Sequence, residues 1–262
     1  MSGLRINRRR FLTASAAGVA ATTLVGCDRI DAVLRPGHPV REAMASANGL
    51  TLAAQRTLAD REALAREFSE SEIRQGMRPN GSTNPNSLEY LMVRQSNFSL
   101  YRLAIDGLVD APQSYSLFDL RNMPARTQIT RHDCVEGWSC IAKWTGVPLS
   151  ALLDEVKPRA NARYCVFYCY DIYGDVPGGA PYYESIDMID ARHPQTILAY
   201  GMNGADLPVA NGAPLRLRVE RQLGYKMAKY VKRIELVESF SQIHGGKGGF
   251  WEDYGYDWYA GV

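Results

Sequence analysis

The stretch RHDCVEGWSCIAKWTGVPL occupies residues 131–149 and surrounds the cysteine with the richest chemical setting in the chain, Cys134. Residues 128–131, just before it, form a run that is typical of a β-strand. His132 and Cys134 are two positions apart on this extended segment, so their side chains face the same side, where an imidazole would favour the thiolate. Cys134 is therefore a candidate soft-metal ligand or nucleophile, and a buried unreactive thiol is the third alternative.

Short β-like runs, separated by Gly and Pro, continue on both sides of this stretch. They cover residues 90–93, 101–105, 128–131, 164–170, 196–200, 215–219 and 231–237. Helical patterns are few in this part of the chain, chiefly at residues 117–121 and 149–156. The sequence therefore predicts a mixed α+β domain that is mainly β.

The chain before this domain has a different composition. Residues 41–76 are rich in Ala, Glu, Arg and Leu, which predicts helix, with a candidate interruption at Asn48-Gly49. Residues 77–87 contain two Pro-Asn or Asn-Pro turn signals and are predicted to form a loop. We predict a helical stalk or linker over residues 27–87, followed by the main domain over residues 88–240.

An aromatic tail is predicted over residues 241–262. Six of the ten residues from Phe250 to Tyr259 are aromatic. Such rings either pack against the domain, which is the plainer interpretation, or form a lid or docking surface for a partner.

The N-terminus has the organisation of an export signal. Arg8, Arg9 and Arg10 precede a mild apolar stretch over residues 13–25, which is too short and too weakly hydrophobic for a membrane span. Twin arginines indicate the Tat translocon, and Cys27 follows a Leu-Val-Gly sequence that is similar to a bacterial lipoprotein box. We therefore predict a Tat signal peptide over residues 1–26, a periplasmic location, and a lipid anchor at Cys27 that tethers the protein to the inner membrane.

Composition and motifs exclude several classes of protein. The 262 residues are 46% hydrophobic and 22% charged, which is ordinary for a globular chain and atypical of disordered or collagen-like ones. The formal charge of +2 depends on four arginines near the N-terminus, so a nucleic-acid partner is not expected. A nucleotide-dependent enzyme is disfavoured because neither GxGxxG nor GxxxxGK[ST] occurs.

Four cysteines remain when Cys27 is set aside: Cys134, Cys140, Cys165 and Cys169. In an oxidising compartment the ordinary expectation is two disulfides. Cys165 and Cys169 fall on one predicted strand, where positions four apart are separated by about 13 Å. A disulfide needs Cα atoms within about 7 Å, so these two cysteines cannot pair with each other.

A second group of polar residues and turns lies downstream. Asn203-Gly204 is a turn signal, residues 211–216 form a turn that leads into a strand, and residues 224–229 follow. Turn N–H groups together with the cations Arg216 and Lys229 are what a buried phosphate requires.

Together these features resemble the sulfite-oxidase-like molybdopterin oxidoreductases, and most closely the branch of the bacterial periplasmic methionine sulfoxide reductase catalytic subunit. The resemblance covers about residues 88–237. It depends on the order and spacing of residues 134–139, 144–149, 198–204, 211–216 and 224–229.

The resemblance implies a Mo-molybdopterin cofactor, with Cys134 as the single protein thiolate on molybdenum. Glu136, by its position, is the predicted proton-handling residue beside the metal. The residues that match the family's pterin and phosphate contacts are Val93, Arg94, Gln95 and Ser96 on the domain's first strand, together with Cys169, Asn211, Arg216, Met227, Ala228 and Lys229.

Departures from the family pattern bear on the substrate. Sulfite oxidases resemble a pattern with an arginine shortly after the metal cysteine, whereas this chain has Glu136 and Trp138, so an anion would meet a carboxylate. The sulfoxide-reductase branch has an arginine just before the cysteine, where this chain has Asp133. We expect oxygen-atom or two-electron transfer on a small substrate, with S- or N-oxide reduction favoured over sulfite oxidation.

The chain contains no CxxCH haem motif. Electrons must therefore be exchanged with a partner, and the family resemblance implies a membrane b-type cytochrome or a soluble cytochrome.

Two other functions remain open from the sequence. The first is a thiol-dependent hydrolase that uses Cys134 and His132, for which no third group or oxyanion hole is evident. The second is a non-catalytic lipoprotein in which Cys134 and Cys140 form a disulfide. Metal content separates both alternatives from the oxidoreductase.

Overall fold

The computed structural model describes residues 35, 38–58, 62–74, 76–173 and 179–262. The chain separates into two compact units, residues 1–55 and 56–262. The predictions for residues 1–26 and for Cys27 lie outside the described residues. Within the described ranges, no helix has both the length and the apolar character needed to cross a bilayer.

Six α-helices and ten β-strands are described. The helices are α1 (Pro39–Leu58), α2 (Leu88–Gln95), α3 (Leu117–Asn122), α4 (Leu149–Val156), α5 (Met188–Ala191) and α6 (Phe250–Asp253). The strands are β1 (Arg102–Gly107), β2 (Gln113–Ser116), β3 (Arg126–Cys134), β4 (Trp138–Pro148), β5 (Tyr164–Tyr173), β6 (Ala180–Asp187), β7 (Ile197–Met202), β8 (Ala205–Asp206), β9 (Arg216–Arg218) and β10 (Val231–Val237). The prediction of a mixed α+β fold that is mainly β is confirmed.

The predicted helix over residues 41–76 is present only in its first half. Helix α1 passes through Asn48 and Gly49 without interruption and ends at Leu58. The described residues after it are extended apart from one 3-10 turn (Glu70–Glu72), because the backbone of Phe68 bonds to Ile129 on β3 (N···O 2.9 Å). Pairing with a sheet edge outweighs helix propensity here, so the helix predicted over residues 41–76 is too long.

Two five-stranded sheets form the main domain. The first has the order β2-β1-β10-β5-β6, in which β10 is parallel to β1 and antiparallel to β5. The second has the order β3-β4-β7-β8, with β9 also paired to β7. Strand β5 has buried residues at most positions because it lies between two other strands and packs into the larger core.

Local sequence explains why the short helices begin where they do. Ser116 caps α3: its Oγ accepts from Asp119 N (3.1 Å) and Asp119 Oδ2 accepts from Ser116 N (2.8 Å), which forms a capping box. Helix α4 follows Pro148 and buries Leu149, Leu152, Leu153 and Val156, an apolar stripe with helical spacing. Both helices match the prediction closely.

Residues 90–93 were predicted to be β-like, and this is wrong. They lie in α2, whose first turn is capped by Ser87, with Tyr90 N 3.4 Å from the Ser87 hydroxyl. Tyr90 and Val93 are buried three residues apart, which is a helical spacing that a four-residue run does not distinguish from a strand.

Gly146, in the Trp-Thr-Gly-Val-Pro motif of β4, allows this strand to lie close to its neighbour β7. A Cβ at this position would lie 2.2 Å from the carbonyl oxygen of Leu198 on β7. The pairing of β4 with β7 also shifts register between Thr145 and Gly146. Only glycine allows this close approach of two backbones.

The aromatic tail packs against the domain through a buried charged triad. Lys226 Nζ contacts a carboxylate oxygen of Glu184 on β6 and one of Glu252 on α6, and all three side chains are buried. Burial and the neighbouring Glu252 raise the pKa of Glu184 well above its usual range. Protonation of Glu184 would reduce the number of charges that are buried in the triad.

We therefore predict an asymmetric response to mutation of this triad. Lys226→Met leaves buried carboxyl groups without a cation and lowers the free energy of unfolding by about 3–5 kcal/mol. Glu184→Gln keeps a neutral group of the same shape and lowers it by about 1 kcal/mol or less. Urea unfolding of the cofactor-free chain measures both values, and equal losses would contradict a raised pKa of Glu184.

Candidate active site

A cavity of about 140 Å³ lies beside the turn that joins β3 to β4. Its walls come from the loop before α2, from this turn, from the ends of β5 and β6, and from residues 224–229. The aromatic tail supplies the remaining wall. Sequence-predicted site residues Cys134, Glu136, Met227 and Lys229 all line it.

Cys134 is the last residue of β3 and is 7% exposed. Burial raises the pKa of its thiol, whereas hydrogen bonds from the backbone N–H groups of Glu136 and Val135 act in the opposite direction. The thiol is thus neutral when the cavity holds no cation, and a metal would displace its proton.

The four described cysteines are free thiols. On the β3–β4 hairpin Cys134 pairs with Trp138, and Cys140 pairs with His132. The two cysteines therefore occupy different rungs of the hairpin, and the disulfide expected for the lipoprotein alternative is absent from the described part of the chain.

His132 was predicted to favour the thiolate form of Cys134, but its surroundings in the structure do not allow this. Its Nδ1 accepts a hydrogen bond from Arg218 Nη1 (2.9 Å) and lies 3.3 Å from the sulfur of Met227. Burial, reinforced by the charge of Arg218, lowers the pKa of His132 well below its usual range. A neutral imidazole held by an arginine supplies no positive charge to a thiolate, which removes the main support for the thiol hydrolase.

Glu136 lies at the entrance of the cavity and not inside it. Its side chain is 49% exposed, accepts a hydrogen bond from Trp138 Nε1 (2.9 Å), and lies 4.0 Å from Arg78. The β3–β4 turn thus directs Glu136 toward solvent.

The buried carboxyl group of the cavity is Asp171 on β5, which sequence reasoning missed. Burial raises its pKa to about 7, and its Oδ1 has no hydrogen-bond partner. The sequence feature that could have indicated Asp171 is its position as an acidic residue in an otherwise apolar strand, two residues after Cys169. Cys169 itself is packed in the core, and Asp171 is the residue that lines the cavity.

Lys229 ties the loop before α2 to the cavity. Its Nζ donates to the carbonyl oxygens of Asn80 (2.6 Å), Ala210 (3.0 Å) and Ser82. Burial lowers the pKa of Lys229 to about 7, and the charge of Arg216 contributes in the same direction. Its hydrogen bonds to protein are thus made to neutral carbonyls and not to a carboxylate.

Asn211, Arg216 and Ala228 are buried behind the cavity-lining residues Met227 and Lys229. Arg216 Nη1 donates to the carbonyl of Asn211 (2.9 Å), and its Nη2 lies 3.5 Å from the carbonyl of Met227. Burial and the neighbouring Arg218 lower the pKa of Arg216 to about 9. Arg216 Nε and Asn211 Nδ2 are buried donors without a partner.

Val93, Arg94, Gln95 and Ser96 are not brought to the cavity. They belong to α2 and its C-cap, and Arg94 bonds instead to Asn84 (2.6 Å). The preceding loop contributes in their place, since Asn80 and Gly81 line the cavity and Asn80 Oδ1 is buried without a partner. In the sequence, Pro79-Asn80-Gly81 indicates only a turn, and nothing in it predicts a contribution to a binding site.

The charge distribution of this region fits an anionic ligand. Arg218 is neutralised by Glu220 (2.6 Å), but Arg216 and Lys229 have no carboxylate within hydrogen-bond distance among the described residues. Two buried cations and two unpartnered donors therefore adjoin a cavity that also contains a thiol. Phosphate oxygens would satisfy the donors, and a soft metal would accept the thiolate.

The family model for the oxidoreductase molybdopterin binding domain matches residues 90–244. The chain belongs to this family. It is a molybdopterin-dependent oxidoreductase, and the donor set described above fits that cofactor.

Relatives of known name agree with this assignment. A protein of Azospira oryzae, provisionally named as the protein-methionine-sulfoxide reductase subunit YedZ1, is 35% identical over 97% of this chain and 87% of its own length. The protein-methionine-sulfoxide reductase catalytic subunit MsrP of Ralstonia nicotianae is 39% identical over 53% of this chain and 44% of its own length.

The sulfane dehydrogenase SoxCD of Paracoccus pantotrophus has a similar fold in its crystal structure. The TM-score is 0.51 at 22% identity, covering 68% of this chain and 46% of the other. This chain thus spans less than half of MsrP and of the SoxCD chain.

Arg216 and Arg218 provide a matched test of the anion site. Both are buried on β9 over the ring of Trp144, at 4.9 and 4.4 Å, but only Arg218 has a carboxylate partner. Arg218→Met should lower the free energy of unfolding of the cofactor-free chain by about 3–5 kcal/mol, because it leaves Glu220 unpaired.

Arg216→Met should change that free energy by about 1 kcal/mol or less while reducing the pterin retained after gel filtration. Urea unfolding and pterin fluorescence measure the two effects. Full pterin retention in Arg216→Met would remove this residue from the cofactor site.

Lys229 should make the stability of the cofactor-free chain depend on pH. Its folded-state pKa is lowered to about 7, so between pH 7 and about 10 the unfolded chain binds more protons than the folded one. This contribution raises the free energy of unfolding as pH increases through that range. Urea unfolding at pH 7, 8 and 9 should show a smaller increase in Lys229→Met than in the native chain or in the surface control Lys232→Met.

Proposed function

We propose that this oxidoreductase reduces small S-oxides, or N-oxides of similar size, with its molybdenum held by the thiolate of Cys134. The observation that carries the proposal is that Cys134 and Lys229 line one cavity, backed by the buried donors of Asn211 and Arg216. The names of two relatives, both protein-methionine-sulfoxide reductase subunits, support the S-oxide class.

The residues of the chain have separable tasks in this proposal. Cys134 gives up its proton and binds metal, while Arg216, Lys229 and Asn211 hold the phosphate and pterin of the cofactor. When bound, the cofactor would supply two-electron, oxygen-atom-transfer chemistry. The net reaction consumes one sulfoxide, two electrons and two protons, and yields a thioether and water.

Asp171 is the group best placed to hold a proton inside the cavity. Its carboxyl is buried and its pKa lies at about 7, so both protonation states are accessible at neutral pH. Glu136 is less well placed for this task, because its half-exposed carboxylate pairs with Arg78 (4.0 Å) and accepts a hydrogen bond from Trp138.

Location and electron supply complete the proposal. The twin-arginine sequence and the box before Cys27 support Tat export to the periplasm and a lipid anchor. A membrane b-type or soluble cytochrome is the proposed electron donor, since the sequence carries no CxxCH motif.

Cys134→Ser, compared with Cys140→Ser, tests the proposed function. Both thiols are buried on the same hairpin, but only Cys134 lines the cavity. With reduced viologen as electron donor, the native protein and Cys140→Ser should each contain molybdenum and reduce dimethyl sulfoxide. Cys134→Ser should lose turnover by at least about 100-fold, equivalent to about 2.7 kcal/mol, with an altered molybdenum electron-spin resonance signal.

Two results would contradict the proposal. Undiminished turnover by Cys134→Ser would remove this thiolate from the metal. Absence of molybdenum from protein matured in a host that makes the cofactor would overturn the oxidoreductase function, and alkylation of an active thiol would then test the hydrolase.

A further inference from the structure

The C-terminal segment, residues 245–262, builds one wall of the active-site cavity. The family match ends at residue 244, yet Trp251 and Tyr256 line the cavity together with Cys134. Phe250 is buried beneath them, with ring centroids 4.8 Å from Tyr173 and 5.7 Å from Tyr182, which also line it. A part of the chain outside the matched domain thus shapes the space beside the thiol.

Polar contacts of Glu252 and Asp253 hold this segment against the domain. Asp253 accepts hydrogen bonds from the Tyr183 hydroxyl (2.6 Å) and from the backbone of Gly245 (2.9 Å) and Lys247 (3.0 Å). Glu252 belongs to the buried triad with Lys226.

Further along the segment, Trp258 Nε1 donates to the hydroxyl of Ser185 (2.9 Å). The Tyr225 hydroxyl donates to the carbonyl of Asp257 (2.6 Å). The wall is therefore fixed to β6 and to the 3-10 turn Gly224–Lys226, which itself lines the cavity.

The wall is aromatic and rigid. Trp251 and Tyr256 stack with centroids 5.4 Å apart and planes at 26°, and Tyr225 meets Tyr256 edge-on at 5.2 Å. Rings packed on one another in this way cannot withdraw without losing those contacts. They present an apolar surface that suits methyl groups and polarizable sulfur.

We propose that Trp251 and Tyr256 are specificity-determining residues that select a compact, uncharged, methyl-bearing head group, such as a methyl sulfoxide, and exclude bulky aryl substituents. This inference rests on the proposed function, because the same cavity must admit the S-oxide. The packed rings limit size, and their apolar surface disfavours a charged group.

The test compares two neutral substrates that differ in bulk, dimethyl sulfoxide and methyl phenyl sulfoxide. The molybdenum-loaded native protein, Trp251→Ala, Tyr256→Ala and Tyr254→Ala are assayed with reduced viologen. Tyr254 is the matched control, because it lies in the same segment, is 55% exposed and does not line the cavity.

We expect Trp251→Ala to shift the kcat/KM ratio toward methyl phenyl sulfoxide by at least about 10-fold, with a smaller shift in the same direction for Tyr256→Ala. Tyr254→Ala should leave the ratio within about 2-fold of the native value, a much smaller change than one methylene in a pocket produces. Calorimetric binding of dimethyl sulfone, which is not reduced, should weaken in Trp251→Ala and not in Tyr254→Ala.

Several outcomes separate this inference from the proposed function. If the native protein reduces dimethyl sulfoxide but Trp251→Ala leaves the kcat/KM ratio of the two substrates unchanged, the specificity inference is overturned and the proposed function is not. If Trp251→Ala loses molybdenum and Tyr256→Ala leaves the kcat/KM ratio unchanged, the aromatic rings act in cofactor retention. The specificity inference is then overturned as well. No turnover of either substrate by the fully loaded native protein would overturn both. If Trp251→Ala does not fold, Trp251→Phe, which keeps a ring, should give an intermediate shift.

Discussion

Uncompensated positive charge, buried next to the cavity, is the constraint on which the rest of this structure depends. Arg216 and Lys229 are held by carbonyl oxygens, and burial lowers the pKa of both. Burying these two charges costs free energy in the cofactor-free chain. The binding of an anion would offset that cost. In the proposed function a molybdopterin phosphate is that anion, which would link cofactor binding to the stability of this region.

The cavity is completed by elements that are far apart in the sequence. Lys229 fastens the loop that contains Asn80, and Lys226 fastens α6 through Glu252. Two lysines three positions apart thus hold the loop at Asn80 and helix α6 against residues 224–229. Because each lysine is buried, each attachment is sensitive to removal of its partner, and the cavity walls are as rigid as the core behind them.

Much of the fold and part of the site could be predicted from the sequence. The β-runs and two short helices depended on local patterns, and the family depended on motif order; a single sequence contains both kinds of signal. Residues 93–96 were misplaced because a short apolar run fits a helix as well as a strand. Asp171 and Asn80 were missed because their burial depends on what packs over them, which no local pattern records.

The sequence by itself determined the family, the cofactor class and the identity of the candidate thiol, because these follow from residue types at set spacings. Only the tertiary structure decided the protonation and accessibility of the groups. It turned Glu136 outward, made His132 neutral beside Arg218, buried Asp171, and brought the C-terminal rings to the cavity. The physical reason is that solvation and charge depend on every neighbour in space, and most of those neighbours are distant along the chain.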